Sequence, residues 1–358
     1  DVSIIDYAVW TERTDGYRVL TDNVTMLRSG AKESPVYPII TSGKPTKDFQ
    51  KFIPKEATSF GVSSNINFKL LYRYVIGLVR DHVAGGQGMI QEWENTQANE
   101  LNLDIEKDVL DLFEGSTMHF QAGDDWMLAF KITDEKKMNA QFDRLMKTIN
   151  AAMGQNALMT AKVSVDDKTE FTQISHPMMM MMGGMAPPVV GCSEGYFMIG
   201  SSANLVKKCL KTARGDHPNI TSNPRWKEEA LRPDGAVVAI SFTDQSNMHR
   251  ELQQAMAGMS MAMGMMGMMA AGDAPPEMRR VLNGIPPILA KLGTVAGTLN
   301  FYKSSAAYET FDGSKWISRT VQNYKSPSER EPIEKQPAAE SGSSDESDED
   351  DGGDSDEE

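Results

Sequence analysis

Two stretches of this chain, 179 residues apart, repeat one pattern of turn and strand residues. Residues 15–23 (DGYRVLTDN) and residues 194–202 (EGYFMIGSS) both read as an acidic residue, glycine, tyrosine and then alternating apolar positions. An acidic residue before glycine is typical of a tight turn, and the alternation is typical of a half-buried strand. So long a period is unlike a solenoid and favours duplicated domains.

Prolines repeat with the same offset. Pro45 and Pro54 lie nine residues apart, as do Pro224 and Pro233, and a turn and an apolar strand follow the second proline of each pair. The order and the spacing of these matches agree with the first stretch. The sequence therefore predicts the closing part of an earlier repeat cycle (1–45), a first repeat (46–215), a second, shorter repeat with a Met-rich insertion (216–325), and an acidic tail (326–358).

Helices alternate with hairpins inside each repeat. Two apolar strands flank Gly123, and a helix with one apolar face follows Asp134, a residue that favours helix starts. We also expect a helix at Ile105–Phe113 and a strand near Thr294–Tyr302. This alternation predicts an α+β fold of duplicated domains, with antiparallel sheets flanked by helices.

The acidity of the chain is concentrated at its C-terminal end. The net charge is −14, and residues 328–358 hold 14 of the 50 acidic residues and two of the 36 basic ones. The remainder is therefore close to neutral, at −2, and it carries no basic footprint of the kind that binds nucleic acid. Residues 341–358 contain no apolar side chain, so we predict a disordered segment that aids solubility or weakly binds divalent cations or basic partners.

The sequence gives little support for a membrane span or for a disulfide framework. Residues 252–272 are uncharged, but after Leu252 they are only Met, Ala, Gly, Ser and Gln, which gain little on transfer into lipid. The chain has two cysteines, Cys192 and Cys209, which are too few for a four-ligand zinc site. They are either two buried thiols or one disulfide bridge. The chain starts at Asp1 without Met, which fits either a removed leader or a fragment of a longer protein.

No catalytic motif is present. The five histidines are never three or four residues apart, and HExxH, GxSxG and phosphate-binding glycine loops are absent. Asp124 with Asp125, and Asp166 with Asp167, fit turn formation better than paired acid–base catalysis. We therefore predict no catalytic residue and no cofactor, and a hydrolase with a dispersed Ser-His-Asp site stays an alternative.

Methionine is the compositional anomaly of the chain. It occurs 25 times, with six residues within 178–185 and eight within 256–269. Thioethers are soft ligands that select Cu(I), and flexible methionines also suit adaptable surfaces that contact proteins or lipid. A Gly-rich filler without function is the plain alternative. The candidate Cu(I) ligands are His176, Met178, Met179, Met180, Met181, Met182, Met185, Met259, Met261, Met263, Met265 and Met266.

The order of elements resembles a bacterial family, the domain of unknown function 3352. The matching stretches are Pro54–Ser63, residues 110–132, the helix after Asp134, and residues 194–210, and the resemblance covers about residues 15–325. The Met runs and the acidic tail depart from the family pattern. The resemblance implies an exported or envelope protein of bacteria and offers no catalytic residues to carry over.

Together these features predict a non-enzymatic periplasmic or envelope protein that acts by binding or by structure. Its partner would be a protein or an envelope component rather than nucleic acid, with membrane contact through the Met-rich segment. A Met-rich Cu(I)-binding protein is the first alternative, and the dispersed hydrolase is the second. A deep pocket lined by histidines and carboxylates would favour the hydrolase, whereas a broad sheet face without one would favour binding.

Overall fold

The chain contains two compact units. The computed structural model describes residues 4–153, 158–166, 169–176, 187–269 and 275–331. One unit comprises residues 1–248 and 301–326, and the other comprises residues 249–300 and 327–358. The acidic tail from residue 332 onward and residues 177–186 of the first Met-rich run lie outside the described residues.

In the described part of the first unit, twelve strands form one antiparallel sheet. The strands are β1 (Ile5–Asp15), β2 (Arg18–Leu27), β3 (Ser59–Ser63), β4 (Phe113–Ala122), β5 (Asp125–Ile132), β6 (Met159–Ser164), β7 (Glu170–Ser175), β8 (Val189–Ser193), β9 (Tyr196–Gly200), β10 (Ala239–Asp244), β11 (Tyr302–Phe311) and β12 (Lys315–Tyr324). Their order across the sheet is β1-β2-β12-β11-β10-β3-β4-β5-β9-β8-β7-β6. The prediction of an α+β fold built on antiparallel sheet is confirmed.

Helices connect these strands. The α-helices in the described part are α1 (Tyr37–Thr41), α2 (Phe68–His82), α3 (Gly86–Asn95), α4 (Glu135–Met153), α5 (Ala203–Arg214), α6 (Pro224–Glu229), α7 (Met248–Met269) and α8 (Pro276–Gly297). Side chains cap several of them, and the cap at Asp134 is the one that the sequence predicts. Asp134 accepts a hydrogen bond from the Lys137 amide at the start of α4, at 2.9 Å, and Ser202 accepts one from the Leu205 amide in α5, at 3.2 Å.

The strand order reads alike on both sides of the central pair, β3 and β10. On one side β10 is followed by the hairpin β11–β12 and then by β2 and β1, and on the other β3 is followed by β4–β5 and then by β9 and β8. The strands that follow Pro54 and Pro233 therefore pair with each other, with Phe60 opposite Phe242. A duplication would produce such an order, and the duplication itself stays a prediction.

The main core lies on one face of the sheet, under α5 and α6. Trp226 packs 5.1 Å from Phe60 and 5.5 Å from Phe242, measured between ring centroids. The buried side of α5 contributes Leu205, Val206, Cys209 and Leu210. Burying such apolar side chains stabilises the fold by roughly 1.5–3 kcal/mol each. This core fixes the centre of the sheet and its two neighbouring helices.

Both cysteines are buried free thiols, as one of the two sequence interpretations had it. The Cys209 thiol donates a hydrogen bond to the Phe52 carbonyl at 3.2 Å. Burial raises the pKa of Cys192 to about 12 and raises the pKa of Cys209 as well, because a thiolate loses its hydration in an apolar interior. Neither thiol is therefore activated as a nucleophile or ligand.

Two expected elements differ from the structure. The helix expected at residues 105–113 is a π-helical turn, Ile105–Val109, followed by a short 3-10 turn. The strand expected near Thr294–Tyr302 is wrong in its first part, because α8 continues to Gly297 and β11 starts only at Tyr302. The Gly-rich and β-branched composition of 293–298 misled the sequence reasoning, since helix packing overrides such local preference.

The second unit is built on a pair of helices, α7 and α8. A side chain at Gly297 would collide with Gln253, and one at Gly293 would touch Met256, so these glycines let the two helices approach closely. The chain segment after β12 is held here as well, because Arg250 donates to the Glu331 carboxylate at 2.6 Å. Among the described helices, none is both long enough and apolar enough to span a bilayer.

Candidate functional site

A polar cleft of about 830 Å³ lies in the first unit. It is lined by one face of α2, the end of α3, the segment 97–108 and Arg144 of α4. Two π-helical turns, Thr96–Glu100 and Ile105–Val109, form most of that segment. Such turns are rare and are frequently found at functional sites, which makes the cleft the candidate binding site.

The wall of the cleft is fixed by a small hydrogen-bond network around Tyr72. The Tyr72 hydroxyl accepts hydrogen bonds from the Trp93 indole at 2.9 Å and from the Gln97 amide at 3.2 Å. The side-chain oxygen Oε1 of Gln97 in turn accepts a hydrogen bond from the backbone amide of Ile105 at 3.2 Å, which joins the two π-helical turns. Asn102, between these turns, adopts a left-handed backbone with φ of +45°, a conformation that asparagine tolerates better than most residues.

Four ion pairs surround the cleft. Arg73 lies 2.6 Å from the Glu106 carboxylate, and Arg144 lies 3.0 Å from that of Asp108. The other two pairs are Arg80 with Glu94 and Lys107 with Asp104. Each positive charge is thus balanced by a neighbouring negative charge, and the lining as a whole is neutral.

Every resolved pKa shift in the cleft strengthens the charged state. Hydrogen bonding to Glu106 raises the pKa of Arg73, and the bond between Lys107 and Asp104 raises the pKa of the lysine and lowers that of the aspartate. General acid–base catalysis at neutral pH needs shifts in the opposite direction, toward 7. The cleft is therefore suited to holding charges rather than to moving protons.

One nitrogen of the cleft is short of a partner. The Nε atom of Arg144 is buried and meets no hydrogen-bond acceptor among the described residues, although the Nη2 atom of the same guanidinium donates to Asp108. A buried donor without a partner raises the free energy of the unliganded state by about 1–3 kcal/mol. An acceptor that came within reach of this guanidinium would recover part of that free energy.

The sheet face opposite the main core holds a smaller depression, of about 250 Å³, whose lining is more apolar than polar. The His119 ring lies directly over Gly61, where an added Cβ would sit 2.4 Å from the ring. Ser241 is paired with Gly61 from the other side. Among the described residues, the His119 ring has no hydrogen-bond partner, so no serine or carboxylate is aligned with it as a hydrolase would require.

Two further histidines are paired with carboxylates. His217 lies 2.9 Å from the Glu56 carboxylate, and His249 lies 3.6 Å from that of Glu331. Burial acts to raise the pKa of Glu56, but the hydrogen bond with His217 and other contacts outweigh it and lower that pKa. In the described part of the chain, no hydroxyl or thiol is bonded to either ring, so neither pair is a nucleophile with its base.

The candidate Cu(I) ligands fall into two separate groups. His176 follows β7 in the first unit, whereas Met259, Met261, Met263 and Met265 lie on α7 in the second. Met261 is 72% exposed and Met265, one turn further along the helix, is 55% exposed. The Met178–Met182 run, Met185 and the side chain of Met266 lie outside the described residues.

The residues of the cleft were not among those singled out in the sequence. Arg73 and Glu106 are 33 positions apart, and Arg144 and Asp108 are 36 apart, so no local motif joins them. A weaker signal was available. Arg73, Ile76 and Arg80 recur at helical spacing, and residues 104–108 (DIEKD) are dense in charge.

Comparisons with known proteins give little further guidance. A scan against family models finds no match, and neither does a search of curated proteins. A solved structure described as "Structure of crystal form I of TP0453" aligns with 77% of this chain and 78% of that chain, at 10% identity and a TM-score of 0.29. A score so low carries no argument about fold or function.

Proposed function

We propose that this chain is a non-enzymatic binding protein whose polar cleft receives a charged segment of a protein partner. The observation that carries the proposal is the ring of four ion pairs around the cleft. Exposed ion pairs contribute only about 0–1 kcal/mol each, so a ligand can exchange its own charges for theirs at little cost. A segment that bears both signs of charge would match this lining, because the cleft presents cations and carboxylates side by side.

The polarity of the cleft favours a peptide segment over a drug-like small molecule. Small-molecule sites are mostly apolar, with few polar groups. In this cleft Ile76, Ala98 and Leu103 are the apolar members of a lining that is otherwise charged or polar. The guanidinium of Arg144, whose side chain is 38% exposed, adds a donor for a carboxylate or carbonyl of the ligand.

Intrinsic fluorescence can test the proposal. Trp93 donates to Tyr72 on the cleft wall, so a ligand there should change its emission. We expect an octapeptide of alternating Lys and Glu to bind saturably, with an affinity that falls as salt is added. Arg144→Gln should weaken binding by roughly tenfold, the loss of one charge-assisted hydrogen bond.

Two controls separate specific binding from general charge attraction. Lys315→Gln removes a cation that is also ion-paired but lies at the start of β12, and it should leave binding unchanged. Trp93→Phe identifies which part of the signal comes from the cleft. Equal binding of octalysine, or no response to any of the peptides, would contradict the proposal.

The cellular location is proposed on a different ground. The resemblance to the domain of unknown function 3352 supports an exported, periplasmic or envelope-associated bacterial protein. Fractionation of cells that produce the full-length protein tests this, and recovery in the cytoplasmic fraction alone would contradict it.

A second candidate function is Cu(I) binding by α7. The observation in its favour is that Met261 and Met265 are exposed and one helical turn apart, which puts two thioethers on the same helix face. Two thioethers make an incomplete Cu(I) site, so a further ligand would have to join them. This candidate therefore ranks below the peptide-binding cleft.

A further inference from the structure

Strand β1 forms one edge of the sheet and is exposed along almost its whole length. It pairs with β2 on one side, and within the described residues no strand pairs with its other side. Ten of its eleven residues are exposed, including Tyr7, Val9 and Trp10. A long edge of this kind presents unpaired N–H and C=O groups that can pair with another strand.

The two halves of the sheet differ at this position. Counted outward from the central pair, β8 occupies the place that β1 occupies on the other side. The outer edge of β8 is not free, because β7 pairs with it through Thr172 opposite Val190 and Gln173 opposite Val189. The equivalent edge in the other half of the sheet therefore already accepts a strand.

The sequence of β1 is suited to pairing with itself. In a symmetric antiparallel pair the twofold axis passes beside one residue, which then faces its own copy. The midpoint of Ile5–Asp15 is Trp10, which at 69% is also the most exposed aromatic residue of the strand. The ladder of β1 with β2 is regular from Tyr7 onward and shifts register between Ile5 and Tyr7. A symmetric pair centred on Trp10 runs from Tyr7 to Arg13, lies within this regular part, and places Trp10 opposite Trp10 of the second copy.

The charges agree with this register. It sets Tyr7 opposite Arg13, a pair that can form a cation–π contact, and Ala8 opposite Glu12. No two like charges are directly opposed. If the axis moved to Val9, the symmetric part of the regular ladder would shrink to Tyr7–Thr11, and Trp10 would face Ala8 instead of a second aromatic ring.

We propose that two copies of this chain associate through their β1 strands, antiparallel, with Trp10 at the twofold axis. The two sheets then continue into each other across the dimer. This inference does not depend on the cleft, which lies on other elements. The occupant of the edge is a second copy because the strand's own sequence supplies the complementary surface.

Charged substitutions at residue 10 test both the interface and its register. In the proposed register residue 10 meets itself, so Trp10→Lys opposes two cations and Trp10→Glu opposes two anions. We expect the full-length protein to form a dimer in sedimentation equilibrium across roughly 1–100 µM. Each variant should dissociate at least roughly tenfold more readily, through the lost aromatic pair and the like charges.

Mixing the two variants gives the decisive result. A Lys at residue 10 of one copy would face a Glu of the other, so the mixture should recover a heterodimer that neither variant forms alone. Tyr17→Lys is the matched control, because it also replaces an exposed aromatic residue but lies in the turn after β1 and should leave the dimer intact.

Three outcomes would overturn the proposal. These are a monomer in the unmutated protein at the highest concentration, a dimer that persists in both charged variants, and a mixture that stays monomeric. Trp10 is mostly exposed, so its replacement should not unfold the chain. Unchanged circular dichroism and melting temperature verify this before the sedimentation runs are interpreted.

Discussion

Arg225 should be among the most sensitive polar positions of the first unit. Its guanidinium forms two parallel hydrogen bonds with the Glu229 carboxylate, at 2.6 and 2.8 Å. It also donates to Asp244 at 2.9 Å and to the Lys303 carbonyl at 2.9 Å. One side chain therefore joins α6 to the end of β10 and the start of β11. Burial acts to lower the pKa of Arg225, but these partners outweigh it and raise that pKa.

The expected loss of stability in Arg225→Met follows from the buried Glu229 carboxylate, which would lose its main partner. The Glu229 side chain is only 7% exposed, and its nearest remaining cation would be Lys303, at 3.8 Å. Removing one partner of a buried ion pair costs about 3–5 kcal/mol. Because the Arg225 side chain is 30% exposed, we expect the lower end of that range. At roughly 2–4 °C per kcal/mol for a domain of this size, the melting temperature should fall by roughly 6–12 °C.

Thermal and urea unfolding of a set of variants would check this reasoning. Arg225→Lys keeps the charge but loses the paired hydrogen bonds, so it should fall between the native chain and Arg225→Met. The double variant Arg225→Met/Glu229→Met should recover much of the loss, since no buried charge is then stranded. A loss below about 1 kcal/mol in Arg225→Met, or additive losses in the double variant, would refute the reasoning.

Four other predictions concern separate parts of the chain. Gly191→Ala should destabilise the fold by about 1–3 kcal/mol, because the new Cβ would lie 2.6 Å from the buried Phe171 ring. Gly61→Ala should destabilise it less, because the exposed His119 ring can turn away. The free energies of unfolding of the two variants test this difference. Replacing Met261, Met263, Met265 and Met266 together by Leu should leave the free energy of unfolding nearly unchanged, because Leu and Met are close in volume. Cu(I) titration of the unmutated protein should find no site tighter than roughly micromolar, since glycines interleave these methionines and ordering each residue costs about 1–2 kcal/mol. A stoichiometric site that is lost in the Leu variant would place Cu(I) binding above peptide binding as the proposed function. Cys192 and Cys209 should resist a thiol reagent in the folded protein and react quickly after unfolding, because burial raises both thiol pKa values; rapid labelling of the native chain would speak against it. The Arg250 hydrogen bond lowers the pKa of Glu331 below its value in the unfolded chain. The stability that Glu331→Gln removes should therefore be fully present above the ordinary glutamate pKa and should disappear as the pH falls through the folded-state pKa. A loss of stability that is equal at all pH values would exclude this ion pair as its source.

Local features of the fold could be predicted well from sequence. The hairpin β4–β5 turns at Gly123, whose φ is +63°, and a helix, Glu135–Met153, follows Asp134 as expected. These elements depend on turn chemistry and periodicity within a few residues. The end of α8 was missed because the local composition of residues 293–298 disfavours helix, whereas the contacts of Gly293 and Gly297 with α7 keep the helix going to Gly297.

The candidate cleft could not be predicted in the same way. It depends on π-helical turns, which have no established sequence signature, and on ion pairs between residues more than 30 positions apart. The free edge at β1 also depends on the order of strands, and that order is a property of the whole chain. The sequence shows that Ile5–Asp15 can be a strand, but it does not show which neighbour the strand lacks.

The pairing of β2 with β12 has a consequence for synthesis of the chain. Residues 18–26 of β2 pair with residues 315–323 of β12, so the two partners are separated by nearly the whole described sequence. At about 5–20 residues per second, a ribosome takes roughly 15–60 s to make the chain between them. During that time the β2 edge of the N-terminal hairpin is unpaired, and an isolated hairpin is only marginally stable. Nascent chains stalled near residue 300 should therefore be cut by protease within residues 5–27, whereas chains released after residue 331 should be protected there.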